Sequence, residues 1–298
     1  MGQAIVVVDA FTDRPFSGNP AAVTILDGER PDSWLQAVAA EMNLAETAFL
    51  RPVEPGVWDL RWFTPTTEVE LCGHATLASA HVLWGDGHDD EPTLRFRTRS
   101  GELRAIRADG WIWLDFPRLQ PRDVIEPYGL AETLGSGADV RSVVTGGAEG
   151  DGASDLLVEL GSTGDVRALA PDLSAVALLP YRGLIVTAPG EDGIDFVSRF
   201  FAPTYGIPED PVTGSAHCLL APFWGDRLGK DRMVARQISR RGGDLIVELR
   251  GDRVLIGGRA VTVMRSELVG VAARHGAPNR EMALASLAMS LCRPETAS

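Results

Sequence analysis

The chain has 298 residues, of which 45% are hydrophobic, and its formal charge at pH 7 is -13. This length and hydrophobic content predict two folded domains and argue against wholesale disorder. The negative charge argues against a nucleic-acid partner, because an acidic surface repels phosphate backbones. No apolar run approaches the roughly 18 residues that a membrane span needs, and the first residues lack a signal-peptide pattern. We therefore expect a soluble, cytoplasmic protein with no membrane partner.

The first part of the chain predicts mainly strands. The apolar run at 4–11 and the segment 21–26 predict two buried strands, and apolar positions recur at helical spacing in 34–42. Further strand-like segments, joined by glycine-containing turns, lie at 46–50, 57–63, 94–98, 103–108 and 111–116. Residues 117–122 contain two prolines and predict an interdomain linker.

The same mixture recurs after this linker. We predict a helix at 171–179, and strands at 142–144, 156–160, 184–187, 195–201, 245–249, 254–256 and 260–264. Residues 1–118 are therefore predicted as an N-terminal domain and residues 123–270 as a C-terminal domain. Residues 271–298 have an amphipathic pattern and predict a helical tail that packs on the body.

The chain also repeats itself. Residues 61–66 (RWFTPT) are echoed by 199–204 (RFFAPT), 73–75 (GHA) by 214–216 (GSA), and 84–86 (WGD) by 224–226 (WGD). The three offsets are 138, 141 and 140 residues, in one order along the chain. This regularity predicts two copies of one domain, each with a glycine that opens an apolar helix.

Gly73 and Gly214 are the two glycines at these predicted helix starts. The N–H groups of a first helical turn lack partners within the helix, and the helix dipole adds positive charge there. If the two copies face each other, both helix starts point into one cleft that suits a carboxylate. The alternative is that both are ordinary buried helices with glycine caps.

Several titratable residues lie near these helix starts. Glu46 stands between small and apolar residues, which can raise the pKa of a carboxylate toward that of a general base. The alternative for Glu46 is a solvated turn residue. His74 could move protons or cap a helix, and Asp210 lies just before the second helix.

The sequence predicts no metal and no cofactor. No pair of histidines has metal-ligand spacing, and the three cysteines (Cys72, Cys218 and Cys292) are too widely spaced for a zinc site or a disulfide framework. The single lysine, Lys230, lies in a glycine-containing loop that does not suit a pyridoxal Schiff base. No glycine-rich stretch matches a nucleotide-binding motif.

Five motifs, spread over both halves, closely resemble the PhzF family of phenazine-biosynthesis isomerases. They lie at 9–12 (DAFT), 17–23 (SGNPAAV), 43–49 (NLAETAF), 71–76 (LCGHAT) and 210–217 (DPVTGSAH). The resemblance covers roughly residues 3–270. It implies an α/β (α+β) fold of the diaminopimelate-epimerase type, in which two pseudo-symmetric domains each wrap a curved, mostly antiparallel sheet around a central helix. The active site is then in the cleft between them.

The resemblance also implies an activity. The founding member of the family isomerises trans-2,3-dihydro-3-hydroxyanthranilate without metal or organic cofactor. Glu46 matches the glutamate that removes and returns a proton, and His74 and Asp210 match residues that assist it. Gly73, Gly214 and Ser215 match residues that bind the substrate. A small carboxylic-acid substrate and a homodimer are the partners that the family implies.

Two other functions use the same fold. An epimerase or racemase of the two-thiol kind has a cysteine before the glycine of each helix, but here Cys72 precedes Gly73 whereas Thr213 precedes Gly214. A threonine hydroxyl is too weakly acidic to replace a thiol, so we disfavour this function and interpret Cys72 as a packing residue. A catalytically inactive ligand-binding relative is disfavoured because Glu46, His74 and Asp210 are all present.

Overall fold

The computed structural model describes residues 2–135, 138–146 and 154–269. Contacts divide the chain into a unit of residues 4–266 and a second unit made of residues 1–3 and 267–298. In the described part of this second unit, the backbone N–H of Gly2 donates to Oε1 of Glu267 at 2.7 Å. The predicted helical tail at 271–298 and the third cysteine, Cys292, lie outside the described residues.

The first half of the chain contains eight strands and two helices. The strands are β1 (Gln3–Ala10), β2 (Asn19–Ile25), β3 (Glu46–Glu54), β4 (Val57–Phe63), β5 (Glu68–Val69), β6 (Thr93–Thr98), β7 (Gly101–Ala108) and β8 (Trp111–Pro117). The helices are α1 (Asp32–Met42) and α2 (Gly73–Gly85). All the strands and helices predicted in this half are present.

The second half begins with a two-residue strand in the predicted linker. Its strands are β9 (Arg122–Asp123), β10 (Val140–Thr145), β11 (Asp155–Leu160), β12 (Gly183–Pro189), β13 (Phe196–Ala202), β14 (Ile207–Asp210), β15 (Arg232–Gln237), β16 (Gly243–Arg250), β17 (Arg253–Gly258) and β18 (Ala260–Leu268). Its helices are α3 (Leu130–Leu134), α4 (Thr163–Ala168), α5 (Leu173–Val176) and α6 (His217–Leu228), with a 3₁₀ turn at Pro203–Tyr205.

Strand pairing follows the same sequence of steps in both halves. In the first half, β1–β2 is antiparallel, β2–β3 parallel, β3–β4 antiparallel, β4–β6 parallel, and β6–β7–β8 antiparallel. The second half repeats these directions in the same order, in the pairs β10–β11, β11–β12, β12–β13, β13–β15 and β15–β16–β17. The internal repeat of the sequence is therefore a repeat of topology. The two halves are joined where β8 pairs antiparallel with β17.

Each half wraps its strands around one buried helix. Helix α2 is buried around nearly its whole circumference, as expected for a helix that is apolar on all sides. Helix α6 contains Pro222, which cannot donate to the carbonyl of Cys218; that carbonyl instead accepts from the backbone N–H of Leu119 at 3.1 Å. This bond ties the predicted linker to the central helix of the second half.

Two predicted helices differ from the structure. Helix α6 begins at His217 and not at Gly214, because the N–H groups of His217 and Cys218 bond to carbonyls three residues back and so form a tighter first turn. The helix predicted at 171–179 spans only Leu173–Val176. At Leu178 and Leu179 the backbone N–H groups bond to carbonyls three residues back, as in a 3₁₀ turn, instead of four residues back. In the described part of the chain, no helix has the length and apolarity that crossing a bilayer requires.

Candidate active site

Glu46 and His74 meet in the interior of the first half. Glu46 is the first residue of β3 and His74 is the second residue of α2, and both are less than 10% exposed. Nε2 of His74 lies 3.0 Å from Oε2 of Glu46. The contact is not aligned as a hydrogen bond, and neither atom has another hydrogen-bond partner among the described residues. Both atoms are buried, and no described residue meets either of them in aligned hydrogen-bond geometry.

Asn19 connects this pair to the second half of the chain. Its fully buried Nδ2 lies 3.1 Å from Nδ1 of His74, 2.8 Å from Oδ1 of Asp210 and 2.9 Å from the carbonyl oxygen of Val212. Nδ2 has only two hydrogens for these three acceptors, and it can donate to Nδ1 of His74 only when that nitrogen is unprotonated and the ring proton lies on Nε2, facing Glu46. Asn19 lies within one of the recognised motifs, but nothing in its local sequence distinguishes it from a turn residue.

Asp210 ends β14 and is held by its own loop. Its Oδ2 accepts a hydrogen bond from the Thr213 hydroxyl, and the fully buried Gln237 donates to its backbone carbonyl at 2.7 Å. Burial, together with the charge of Glu46, raises the pKa of Asp210 to about 6, against the opposing effect of His74. Asp210 can therefore hold or release a proton near neutral pH.

The charge on Glu46 also acts on His74. Burial by itself lowers the pKa of His74, but the neighbouring Cys72 and Glu46 outweigh it and raise that pKa well above its ordinary value. Burial raises the pKa of the Cys72 thiol to about 11, so Cys72 is neutral near pH 7. Glu46 is thus the anion that stabilises a proton on His74.

Glu46, Cys72 and His74 have ligand atoms within 4.8 Å of one another, which is close enough for a metal ion. However, Sγ of Cys72 lies 3.6 Å from Nδ1 of His74, whereas Glu46 faces Nε2 on the other side of the ring. One ion can use only one of these two nitrogens, and its binding would require the Cys72 thiol, whose pKa burial raises to about 11, to lose its proton.

The three predicted substrate-binding residues lie at the start of α2 (Gly73) and in the tight turn that leads into α6 (Gly214 and Ser215). A Cβ atom added to Gly73 would lie 3.3 Å from Cα of Gly214, so the absence of side chains lets these starts touch. Among the described residues, no group accepts a hydrogen bond from the backbone N–H of Gly73 or Gly214. Ser215, the next residue, accepts a hydrogen bond from Arg182 at 3.2 Å.

The two halves differ at the position of Glu46. The parallel ladder of β2 and β3 begins with Glu46 opposite Ala21, and the matching ladder of β11 and β12 begins with Gly183 opposite Asp155. Gly183 therefore takes the place in the second half that Glu46 takes in the first. A side chain at Gly183 would overlap the ring of Phe200. The site has a carboxylate at this position on one side only.

The repeated strand topology around two central helices, with a buried carboxylate–imidazole pair at their touching ends, defines the diaminopimelate-epimerase-like fold. The sequence profile of the family described as "Phenazine biosynthesis-like protein" (PhzC-PhzF) matches residues 8–266. The chain belongs to this family. It is 48% identical over 272 residues to an "uncharacterized isomerase" of Halalkalibacterium halodurans, which covers 90% of this chain and 99% of the relative.

Solved structures agree with this assignment. A PhzF-family phenazine biosynthesis protein of Enterococcus faecalis has a TM-score of 0.83 and 41% identity, and covers 90% of this chain and 99% of its own. A probable proline racemase of Agrobacterium radiobacter has a TM-score of 0.60 at 14% identity and covers 92% and 94%, which shows the shared fold alone. The isomerase relatives support an isomerase-type enzyme. The domain boundaries, the homodimer and the cytoplasmic location stay predictions.

Proposed function

We propose that the chain is a cofactor-independent isomerase that moves a proton on a small cyclic or unsaturated carboxylic acid, with Glu46 as the general base. The observation that carries this proposal is the pair of buried atoms Oε2 of Glu46 and Nε2 of His74, 3.0 Å apart and without aligned partners among the described residues. Buried polar atoms are normally hydrogen-bonded, so such a pair is expected where a ligand completes the bonding.

The reaction follows from the positions of these groups. The substrate carboxylate accepts hydrogen bonds from the N–H groups of Gly73 and Gly214, where the helix dipoles favour a negative charge. Glu46 takes a proton from a carbon next to a double bond, the released electron pair forms a new double bond, and the old one shifts along the molecule. The remote carbon then receives a proton. One proton changes place, and nothing is oxidised or reduced.

His74 and Asp210 assist this transfer. The Nε2 proton of His74 can stabilise the ionised Glu46 and pass to the substrate, and Asp210 can supply or receive a proton near its pKa of about 6. Positioned acid–base groups of this kind typically accelerate a reaction about 10²- to 10⁴-fold. The compound trans-2,3-dihydro-3-hydroxyanthranilate has the required carboxylate and double bonds, and is the first substrate to test.

A two-thiol epimerase fits the site less well. Thr213 stands where the second thiol would be required, and its hydroxyl already donates to Asp210. Gly183 stands in the second half where Glu46 stands in the first, so the second half has no carboxylate at that strand position. Both observations support a reaction in which the first half supplies the base.

The experiment is deuterium uptake in heavy water, detected by mass, with trans-2,3-dihydro-3-hydroxyanthranilate and a panel of related unsaturated acids. Wild type and Glu46→Gln are compared, with Glu159→Gln as the control, because Glu159 is a half-buried strand carboxylate paired with Arg227 at 3.3 Å. We expect exchange or isomerisation by wild type and the control, and none by Glu46→Gln. Equal turnover by all three proteins would exclude Glu46 as the base, and an inert wild type would contradict the substrate class.

A further inference from the structure

A buried ion pair lies on the second half's side of the helix starts. The guanidinium of Arg182 contacts both carboxylate oxygens of Asp155, with Nε 2.9 Å from Oδ1 and Nη2 against Oδ2. The Asp155 side chain is 6% exposed and that of Arg182 is 32% exposed. Nη2 also donates to Oγ of Ser215, and Cζ lies 5.7 Å from the ring centre of Phe200. The guanidinium is therefore fixed on three sides.

One edge of this guanidinium is unused. Nη1 of Arg182 has no hydrogen-bond partner among the described residues, and the side chain is accessible to solvent. Ser215 accepts from Arg182, so its own hydroxyl hydrogen is free to donate. Two donors thus stand side by side, next to the unpartnered N–H of Gly214.

The topology places these donors opposite the base. Arg182 immediately precedes Gly183, which is the counterpart of Glu46 in the second half, and Ser215 is the counterpart of His74 in the GHA/GSA repeat. In the second half, Ser215 therefore stands at the place of His74, and Arg182 lies one residue before the place of Glu46. The site has a proton acceptor on one side and a cation with free donors on the other.

We propose that Arg182, through Nη1, and the Ser215 hydroxyl bind the substrate carboxylate together with the N–H groups of Gly73 and Gly214, and that Arg182 so determines the preference for an anionic substrate. This inference rests on the proposed function, because it assigns the substrate's charged group to the side opposite Glu46. Asp155 orients the guanidinium in advance, so little side-chain freedom is lost on binding. A single carboxylate suits the site better than a phosphate dianion, because Asp155, Glu46 and Asp210 surround it with negative charge.

The test compares anthranilate with its uncharged amide, 2-aminobenzamide, by calorimetric titration. The two molecules share size and shape and differ in the carboxylate. Wild type is expected to prefer anthranilate. The double variant Arg182→Gln/Asp155→Asn removes both charges of the buried pair without leaving one unpaired, and should lower that preference about 10- to 100-fold while amide binding is unchanged.

The matched control is Arg61→Gln/Glu68→Gln in the first half. Arg61 and Glu68 also form a two-bonded pair, with bonds of 2.7 and 2.8 Å and side-chain exposures of 32% and 11%. This control should keep the preference for anthranilate. If the first double variant fails to fold in a thermal unfolding measurement, Arg182→Lys, which keeps the charge but loses the planar donor edge, is expected to lower the preference in the same direction.

The binding and exchange measurements together separate this inference from the proposed function. A wild type without preference for anthranilate, or an unchanged preference in folded Arg182 variants, would overturn the role of Arg182. Glu46→Gln should keep or strengthen the preference, because Glu46 is the base and not the carboxylate-binding group, and its negative charge opposes a bound anion. If wild type exchanges deuterium normally but the Arg182 variants keep the wild-type preference for anthranilate, the inference alone is contradicted. If the Arg182 variants lower the preference for anthranilate as expected but wild type exchanges no deuterium, the proposed function alone is contradicted.

Discussion

The side-chain amide of Asn19 lies 3.1 Å from Nδ1 of His74, and this contact connects the first residue of β2 to the imidazole on α2. The same amide donates to Asp210 and to the carbonyl of Val212. One buried amide thus holds together groups from β2, α2 and the loop after β14. Asn19 acts through His74 and Asp210, so it is a positioning residue.

Asn19→Asp should raise the pKa of His74. The replacement has the same size, but it places a carboxylate where an amide now donates to Nδ1, and a nearby opposite charge favours the imidazolium by roughly 1–3 pKa units. A more basic imidazole gives up its proton to the substrate less readily, so deuterium exchange should fall as well. The measurement is a titration of the His74 ring by NMR, alongside exchange at several pH values.

Asn43→Asp serves as the control for this change. Asn43 caps the end of α1 in a left-handed conformation with φ of 49°, and the described structure shows no contact between it and His74. The control should leave the His74 titration and the exchange rate as in wild type. An unchanged His74 pKa in Asn19→Asp would show that the 3.1 Å contact does not govern the ring.

Two buried groups next to the start of α6 should give stability opposite dependences on pH. Burial raises the pKa of Asp210 to about 6 from its ordinary 3.8, so its contribution to stability is present at low pH and lost as pH rises through 6. Burial lowers the pKa of His217 to about 4 from its ordinary 6.5, so its contribution is present above pH 6.5 and lost as pH falls through 4. Each contribution amounts to about 3 kcal/mol.

Urea unfolding of wild type, Asp210→Asn and His217→Asn between pH 4 and 7 measures these contributions. Relative to wild type, Asp210→Asn should gain free energy of unfolding as pH rises from 4 to 6. His217→Asn should gain relative to wild type as pH falls from 6.5 to 4, because it has no proton to take up on unfolding. If the free energy of unfolding depends on pH in the same way in all three proteins, neither group titrates differently in the folded and unfolded chain.

Gly183→Ala should destabilise the protein by about 1–3 kcal/mol, the usual effect of adding a methyl group to a filled core. The new Cβ would overlap the Phe200 ring, on which Arg182 also rests. Thermal unfolding measures the loss, and Gly28→Ala is the control, because nothing lies within 4 Å of a Cβ added there.

A second substitution tests the cause of that loss. Phe200→Leu removes the far end of the ring, so Gly183→Ala/Phe200→Leu should be less destabilised than the sum of the two single variants. Additive losses would show that the overlap with Phe200 is not the reason for glycine at this position.

Cys72→Ala should keep deuterium exchange. The Cys72 thiol has a pKa of about 11 because of its burial, so it is a poor base near neutral pH, and Glu46 already supplies that function. Cys218→Ala is the control for loss of a buried thiol, since burial raises the pKa of Cys218 to about 12. Exchange that is lost in Cys72→Ala and kept in Cys218→Ala would favour a thiol-dependent epimerase.

Local patterns predicted much of the site. The motif around Glu46 and the glycine before His74 place both residues at the ends of regular elements, because short apolar runs and glycines act within a few residues of chain. The repeat predicted that both halves are copies of one domain, because its motifs are also local and occur in the same order in each half. The exact start of α6 was not predictable, since tight and ordinary first turns use the same residues.

By itself, the sequence determined the internal repeat, the two glycines at or just before the central helices and the residue types available for proton transfer. Only the tertiary structure decided which of these residues meet. Asn19 and Asp210 are 191 residues apart and touch because β2 begins and β14 ends beside these two glycines. Arg182 meets Ser215, 33 residues away, because the second half repeats the strand pairing of the first. Such contacts depend on sheet register and helix packing, which long-range burial determines and local propensity does not.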